Sequence, residues 1–163
     1  MQLNRYPKIS EELQIKPINK IPTPLLEKYF AELSLGSLAI PTLQKESIKF
    51  GAFVNGKIIG FVCGQPHANR KKNKLNLYAS AIYITPEFRR IGIAKLFTYK
   101  LISEGKKIGC HEITFGALYP KTKKLFETEK AKIKAKQNKQ LEIEMRHYEK
   151  RSAAIVKIKP KHH

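Results

Sequence analysis

The sequence has no aspartate and no tryptophan, and only two cysteines among its 163 residues. The lack of aspartate excludes an EF-hand, a catalytic triad that uses Asp, and a metal site built on Asp carboxylates. Cys63 and Cys110 are too few for a disulfide framework and lack the paired spacing of a structural zinc site. We therefore expect no metal, two small core cysteines and a reducing, cytoplasmic setting.

Long apolar runs are also missing. The longest uncharged ones, at residues 38–43 and 58–63, fall far short of the roughly 20 residues that span a bilayer. The first ten residues lack the apolar stretch of a secretory signal. We expect no membrane span, one domain at residues 1–150 and a basic tail at residues 151–163.

Positive charge dominates the composition, with 32 Lys and Arg against 13 Glu and a formal net charge of +19. The excess is densest after Leu118, where the last 45 residues hold 14 basic and 5 acidic side chains. Such a charge favours polyanionic partners, among them nucleic acid and the ribosome, and opposes polycationic substrates. The alternative is that the lysines only solvate the surface.

Hydrophobic periodicity predicts a mixture of helices and strands. Asn55-Gly56 is the strongest local signal, because both central positions of a type I′ turn need positive φ. The strand, helix and strand at residues 75–118 make a right-handed parallel crossover the expected connection. The predicted elements are an edge strand at 13–18, a helix at 24–35, a hairpin at 47–54 and 57–64, a polar basic loop at 67–74, a strand at 75–85, a helix at 90–107, a strand at 112–118 and a helix at 119–130.

Residues 130–136 and 141–146 each alternate between polar and apolar side chains. Two such strands would form a hairpin and pair lysines with glutamates across its solvent face. One long helix is the competing interpretation, since Ala, Lys, Glu, Gln and Leu all favour helices. We prefer the hairpin, because a helix would scatter Ala131, Ile133 and Ala135 round its surface.

The segment that best indicates a function joins the strand at 75–85 to the helix at 90–107. It reads Pro86-Glu-Phe-Arg-Arg-Ile-Gly92-Ile-Ala94. The unpaired N–H groups at the start of the helix and its dipole form an anion site, and Gly92 and Ala94 leave that surface bare. Arg89 and Arg90 add positive charge, so the segment suits a pyrophosphate.

This segment resembles the acyl-coenzyme A motif of GCN5-related N-acetyltransferases (GNAT), Arg/Gln-x-x-Gly-x-Gly/Ala after a Pro-Glu-Tyr/Phe-Arg type of turn. The Asn-Gly hairpin, the next strand, the motif, the helix and the following strand come in the family's order over roughly residues 12–130. The resemblance implies an α+β, GNAT-like fold, with a central mixed and splayed β-sheet flanked by about four helices. It also implies an acyl-CoA-dependent N-acyltransferase, with acetyl-CoA as the expected donor.

On this resemblance, pantetheine lies in the gap between the strand ending near Thr85 and the strand from Glu112. Main-chain groups of Ile82 and Ile84 would pair with pantetheine, and amides of the turn would hold the pyrophosphate. The residues so assigned to acetyl-CoA are Ile82, Ile84, Arg89, Arg90, Ile91, Gly92, Ile93, Ala94, Lys95 and Phe126. The alternative for Gly92 and Ala94 is close helix–sheet packing without a ligand.

Two positions depart from the family's catalytic pattern. Where many members carry a Tyr as general acid, the alignment places Phe126, which cannot donate a proton. The position of a catalytic Glu in some members falls on Tyr78, and a neutral phenol is a poor base at pH 7. The candidate catalytic residues are Tyr78, Tyr119 and Glu112, beside His67 and His111.

Three functions are consistent with these features. The first is transfer of an acetyl group to a primary amine on an acidic or nucleic-acid-associated partner, such as aminoacyl-tRNA or a ribosomal protein. The second is a catalytically weak or inactive GNAT-like module that binds CoA or nucleic acid. The third is a nucleic-acid-binding protein unrelated to acyl-CoA, using residues 70–74 and 130–139. The sequence leaves open the acceptor, and whether the chain is a monomer or a homodimer.

Overall fold

The computed structural model describes residues 13–32, 43–118, 120–136, 140–148 and 151–159. The strands are β1 (Leu13–Pro17), β2 (Ile48–Val54), β3 (Lys57–Asn69), β4 (Lys74–Ile84), β5 (Glu112–Leu118), β6 (Leu141–Tyr148) and β7 (Arg151–Ile158). The helices in these ranges are α1 (Thr23–Glu32), α2 (Ile93–Lys107) and α3 (Pro120–Ala135). All seven strands belong to one mixed sheet in the order β1-β2-β3-β4-β5-β7-β6. The predicted α+β fold with a mixed sheet is confirmed, with three helices in the described ranges where about four were expected.

The Asn-Gly hairpin forms as predicted. Asn55 and Gly56 have φ of 50° and 74° and join β2 to β3. β1 pairs antiparallel with β2 and lies at the edge of the sheet, where Pro17 is tolerated. β3 runs on to Asn69, so the loop expected at residues 67–74 is reduced to a turn at 70–73. The end of the helix predicted at residues 24–35 lies partly outside the described residues.

The parallel connection through β4, α2 and β5 also forms. β4 and β5 pair from Asn76 opposite Glu112 to Ala79 opposite Phe115. β4 then continues to Ile84, beyond the last of these pairs. α2 is followed by Gly109, whose φ of 79° gives the left-handed turn that commonly ends a helix. None of the helices in the described ranges is long and apolar enough to cross a bilayer.

The hairpin preferred for residues 130–146 is wrong in its first half. Residues 130–135 complete α3, and only the second half is a strand, β6. The helix is stable because Phe126, Glu129 and Ile133 recur at spacings of three and four, and the first two are buried while the third is partly buried. Ala131 and Ala135 are exposed, as the helical alternative requires.

β6 finds its partner further along the chain, in β7. Residues 151–158, expected as the start of a basic tail, form this strand, which lies between β5 and β6. Its apolar run Ala153-Ala-Ile-Val156 is buried throughout, as suits an interior strand. The lysine–glutamate pairs expected across the hairpin form here instead, between Lys157 and Glu144 at 2.7 Å and between Lys159 and Glu142 at 3.0 Å.

The chain forms two compact units, one comprising Met1–Cys63 and Ala81–Ile93 and the other Gly64–Ser80 and Ala94–His163. In the first, α1 buries Leu25, Leu26 and Phe30 in a core that includes Phe61 and Tyr83. The second has its own core, in which the most deeply buried large side chains are Phe97, Leu101, Ile113, Phe126 and Val156.

Candidate active site

The turn after β4 is a short 3-10 helix at Pro86–Phe88. The N–H of Thr85 donates to the carbonyl of Ile59 at 2.9 Å, which ties the end of β4 to β3. The N–H groups of Phe88 and Arg89 donate to the carbonyls of Thr85 and Pro86 at 3.0 and 3.3 Å. The amides of Thr85, Phe88 and Arg89 are therefore engaged in holding the turn.

The backbone changes character after Arg89. Arg90 and Gly92 have φ of 66° and 95°, and α2 begins at Ile93. Gly92 is exposed, and apart from its own residue and its two chain neighbours no heavy atom lies within 4 Å of the point where its Cβ would stand. The first four N–H groups of a helix have no intrahelical acceptor. The turn thus offers free amides beside an open backbone surface, which fits a phosphate group.

Arg89 is bound to its own unit. Its Nε donates to the carbonyl of Ile84 at 2.7 Å, and its Nη2 pairs with Glu32 at 2.5 Å. The guanidinium also lies over the ring of Tyr83, 5.5 Å from the centroid. These contacts fasten the turn to the ends of β4 and α1, whereas the resemblance implied that Arg89 serves the ligand.

The other two predicted cations differ from each other. Arg90 is exposed and, among the described residues, takes part in no ion pair. Lys95, in the first turn of α2, lies with its Nζ 3.2 Å from Oε1 of Glu129. Arg90 is therefore the cation of the turn whose charge is uncompensated within the described part of the chain.

The predicted apolar contacts fall into two groups. Ile82, Ile91 and Ala94 are partly exposed, while Ile84 and Ile93 are buried. Phe126 has no exposed surface, and its ring packs against Phe115 with centroids 4.7 Å apart. The aromatic ring at the family's tyrosine position is thus part of the core of its unit.

Tyr78 and Glu112 lie on neighbouring strands of the second unit. Tyr78 pairs in register with Thr114 and is 45% exposed. Its hydroxyl lies over Gly116, because a Cβ added to that glycine would stand 2.6 Å from the hydroxyl oxygen. Glu112 stands opposite Asn76, two residues before Tyr78, so both candidates project from the same face of the sheet. His67 and His111 are exposed, and Tyr119 lies outside the described residues.

A polar cluster on α2 and α3 was missed in the sequence. Glu129 is only 5% exposed, and its Oε2 accepts a hydrogen bond from the hydroxyl of Tyr99 at 2.7 Å. Lys95 and Lys132 reach its Oε1 at 3.2 and 3.5 Å. The sequence feature that could have indicated the burial of Glu129 is its spacing from Phe126 and Ile133. That spacing places the three residues on one face only if residues 126–133 are helical.

Opposing effects set the ionisation of this cluster. Burial disfavours the charge on Glu129, but hydrogen bonds from Tyr99 and Lys95 and the charges of Lys95 and Lys132 outweigh it, so the pKa of Glu129 is lowered. Burial, and then the hydrogen bond to the carboxylate, raise the pKa of Tyr99 to about 12. The cluster is therefore an ionised carboxylate with a neutral phenol at neutral pH, linking the first turn of α2 to α3.

Comparison with known proteins identifies the fold and the family. The model of the acetyltransferase (GNAT) family matches residues 11–126. No curated protein sequence matches the chain. Solved structures do match it at low identity, and the likeness is one of fold.

Three of these structures have related descriptions. A GNAT family acetyltransferase from Elizabethkingia anophelis with acetyl-CoA bound is 16% identical, with a TM-score of 0.60, over 92% of this chain and 99% of that one. A ribosomal-protein-alanine N-acetyltransferase from Brucella melitensis biovar Abortus is 20% identical, with a TM-score of 0.53, over 62% and 76%. An aminoglycoside acetyltransferase from an uncultured soil metagenomic sample, in complex with trehalose, is 18% identical, with a TM-score of 0.61, over 86% and 97%.

The family match covers most of the chain, including the hairpin, β4, the Arg89 to Ala94 turn and the helix that follows. Family enzymes use acetyl-CoA, and one structural neighbour contains it. The turn, the parallel connection and the mixed sheet all agree with that family's fold. The chain belongs to the GNAT family of N-acetyltransferases.

Proposed function

We propose that this N-acetyltransferase binds acetyl-CoA at the turn from Arg89 to Lys95 and transfers the acetyl group to a primary amine. The observation that carries the proposal is the backbone at Arg90 and Gly92, left-handed at both residues and open at Gly92, directly before α2. Free amides at a helix start and an uncompensated Arg90 together favour a pyrophosphate.

The residues of the turn have different tasks. Amides from Arg90 to Lys95 hold the phosphates, and Arg90 adds charge to them. Arg89 positions the turn, because its donors are engaged with Ile84 and Glu32. The main chain of Ile82 and Ile84 pairs with pantetheine, and the carbonyl of Ile84 keeps a second lone pair beside its bond from Arg89.

Acetyl-CoA supplies an activated acyl thioester, so this chain mainly has to hold the amine and manage protons. Phe126 cannot exchange a proton and is buried against Phe115. Tyr78 and Glu112 share one face of the sheet, Glu112 in the first pair of β4 and β5 and Tyr78 in the last but one, which supports them as candidates for proton transfer. Tyr119 remains a third candidate from the sequence.

The class of acceptor is inferred from the net charge of the protein. A net charge of +19 opposes polycationic acceptors, aminoglycosides among them, and favours an amine attached to an acidic or nucleic-acid-associated partner, such as aminoacyl-tRNA or a ribosomal protein. The ribosomal-protein-alanine acetyltransferase among the structural neighbours agrees with this class. The two free, buried cysteines suit a reducing cytoplasm.

The test is calorimetric titration of acetyl-CoA into the protein and into two variants, Gly92→Glu and Gly109→Glu. Both glycines have positive φ and open space at the Cβ position, so the substitutions impose similar backbone strain. Only Gly92→Glu places a carboxylate in the proposed phosphate site, at the other end of α2 from Gly109. We expect it to abolish micromolar binding, while Gly109→Glu retains it.

Release of free CoA, followed with a thiol reagent after adding bulk tRNA or ribosomes, would identify the acceptor class. The protein's own thiols interfere little, because both are buried and burial raises the pKa of Cys63 to about 12. Absence of acetyl-CoA binding at low salt, or equal losses in the two glycine variants, would contradict the proposed site.

A further inference from the structure

The exposed side of α3 carries a concentration of unpaired lysines. Residues Pro120–Ala135 contain six lysines and two glutamates, a net charge of +4 on one helix. Lys124, Lys130, Lys134 and Lys136 are exposed and, among the described residues, contact no carboxylate within salt-bridge distance. The two glutamates are engaged, Glu127 with Lys123 at 3.9 Å and Glu129 in the buried cluster, where it also pairs with Lys132 at 3.5 Å.

The spacing of these lysines gives the helix two positive flanks. At 3.6 residues per turn, Lys130 and Lys134 lie on one flank, and Lys132 and Lys136 lie on the other. Over residues 130–136, the ridge between the flanks holds only the small side chains of Ala131 and Ala135, both exposed. We call residues 130–136 the lysine face, of which Ile133 alone turns inward and is partly buried.

We propose that the lysine face docks onto double-stranded DNA, with one lysine flank against each phosphate backbone. Charge complementarity selects a polyanion, and the length of the positive surface selects a polymer. Lys124 and Lys136 are about 18 Å apart along the helix axis, whereas one strand of a duplex carries a charge about every 3.4 Å. A single phosphate group cannot engage the whole surface.

The arrangement on two flanks distinguishes a duplex from a single strand. A groove of a duplex presents two backbones, and the major groove of B-form DNA, about 12 Å wide, admits an α-helix. The bare alanine ridge permits the close approach that such docking requires. Duplex RNA has a deep, narrow major groove and a wide, shallow minor groove, so duplex RNA that binds as tightly as duplex DNA would overturn the proposed fit.

This inference goes beyond the proposed function and does not depend on acetyl transfer. The acetyl-CoA turn and the lysine face use different residues, so either can fail alone. Acetyl-CoA titration is therefore run on every variant described below, together with thermal unfolding. A variant that still binds acetyl-CoA and unfolds normally reports only on the lysine face.

The experiment measures fluorescence anisotropy of labelled 20-base-pair DNA and RNA duplexes and of the matching single strands, from about 50 to 200 mM salt. The key variant is Lys130→Gln with Lys134→Gln, and its matched control is Lys71→Gln with Lys72→Gln in the exposed turn at residues 70–73. We expect the α3 variant to reduce the slope of log affinity against log salt by about 2, since two phosphate contacts are lost. The control should keep the slope of the unchanged protein.

A third variant, Ala131→Gln with Ala135→Gln, tests the ridge without changing charge or helix propensity greatly. We expect roughly tenfold weaker duplex binding, equivalent to about 1.4 kcal/mol. Equal losses in the α3 and turn variants would overturn the proposal. Single strands or polyglutamate competing as well as the duplex would also overturn it, as would no duplex binding at low salt by protein that still binds acetyl-CoA.

Discussion

Arg89 and Arg90 are adjacent in the sequence, but their side chains make different contacts. Both supply positive charge beside a helix start, which is all that composition and order reveal. In the structure, Arg89 contacts Glu32, Ile84 and the Tyr83 ring, while Arg90 is exposed and has a φ of 66°. Side-chain assignment within the motif thus depends on backbone conformation, because the φ of Arg90 determines where the following amides point.

Arg90 adopts a conformation that costs a residue with a Cβ roughly 1 kcal/mol. We expect Arg90→Gly to raise the free energy of unfolding by up to about 1 kcal/mol and to weaken acetyl-CoA binding, because strain and charge are both removed. Arg90→Ala removes the charge alone, so it should weaken binding without stabilising the fold. Urea unfolding and calorimetry on both variants measure the two effects, and equal stabilities would argue against strain at this residue.

Among the secondary-structure elements, α3 is the one whose sequence pattern led to a wrong prediction, at residues 130–136. Strict alternation of lysine and apolar residues at 130–136 is equally compatible with a strand and with a helix of high intrinsic propensity. The choice is made upstream, where Phe126 is anchored in the core and Glu129 bonds to Tyr99. Once those residues are helical, continuing the helix leaves the lysines in solvent and keeps Ile133 toward the protein.

The Glu129 cluster predicts a pH-dependent contribution to stability. Because the pKa of Glu129 is lowered by folding, its contribution is complete above the ordinary carboxyl range and is lost as pH falls through the lowered value. We expect Glu129→Gln to reduce the free energy of unfolding by about 1–3 kcal/mol at pH 7, since Tyr99 and Lys95 lose a charged partner. The difference from the unchanged protein should shrink below about pH 4.

Glu127→Gln is the matched control on the same helix. Glu127 is exposed and its contact with Lys123 is long, at 3.9 Å. Such a pair contributes about 0.5 kcal/mol or less. Urea unfolding at pH 7 and at lower pH compares the two variants, and a similar small loss in both would mean that the buried cluster adds nothing to the stability of α3.

At the scale of the molecule, the end of the chain is structural as well as basic. β7 pairs with β5 on one side and with β6 on the other, from Leu141 opposite Ile158 to Tyr148 opposite Arg151. Among the described strands, β6 meets the rest of the sheet only through β7. The positive charge that suggested a tail thus lies partly on a strand whose centre is apolar and buried.

Truncation separates the strand from the residues beyond it. A chain ending at Lys150 lacks β7, exposes the edge of β5 and leaves β6 without a partner, so we expect it to lose cooperative unfolding or to aggregate. A chain ending at Lys159 keeps every described contact of β7, including the pair of Lys159 with Glu142. It should unfold within a few degrees of the full chain in circular dichroism, and equal behaviour of both truncations would refute the structural role of β7.

Features that depend on neighbouring residues can be predicted from the sequence. The Asn-Gly hairpin, β4 and most of α2 follow from local φ preferences and periodicity, although α2 begins at Ile93 and not at the predicted residue 90. The Arg89 to Ala94 motif indicated the fold class and the family. Features that depend on residues distant in the chain are established only when the chain is folded. No local propensity encodes contacts between residues far apart in the chain. Examples are the pairing of β7 between β5 and β6, the burial of Glu129 with Tyr99, and the contact of Arg89 with Glu32.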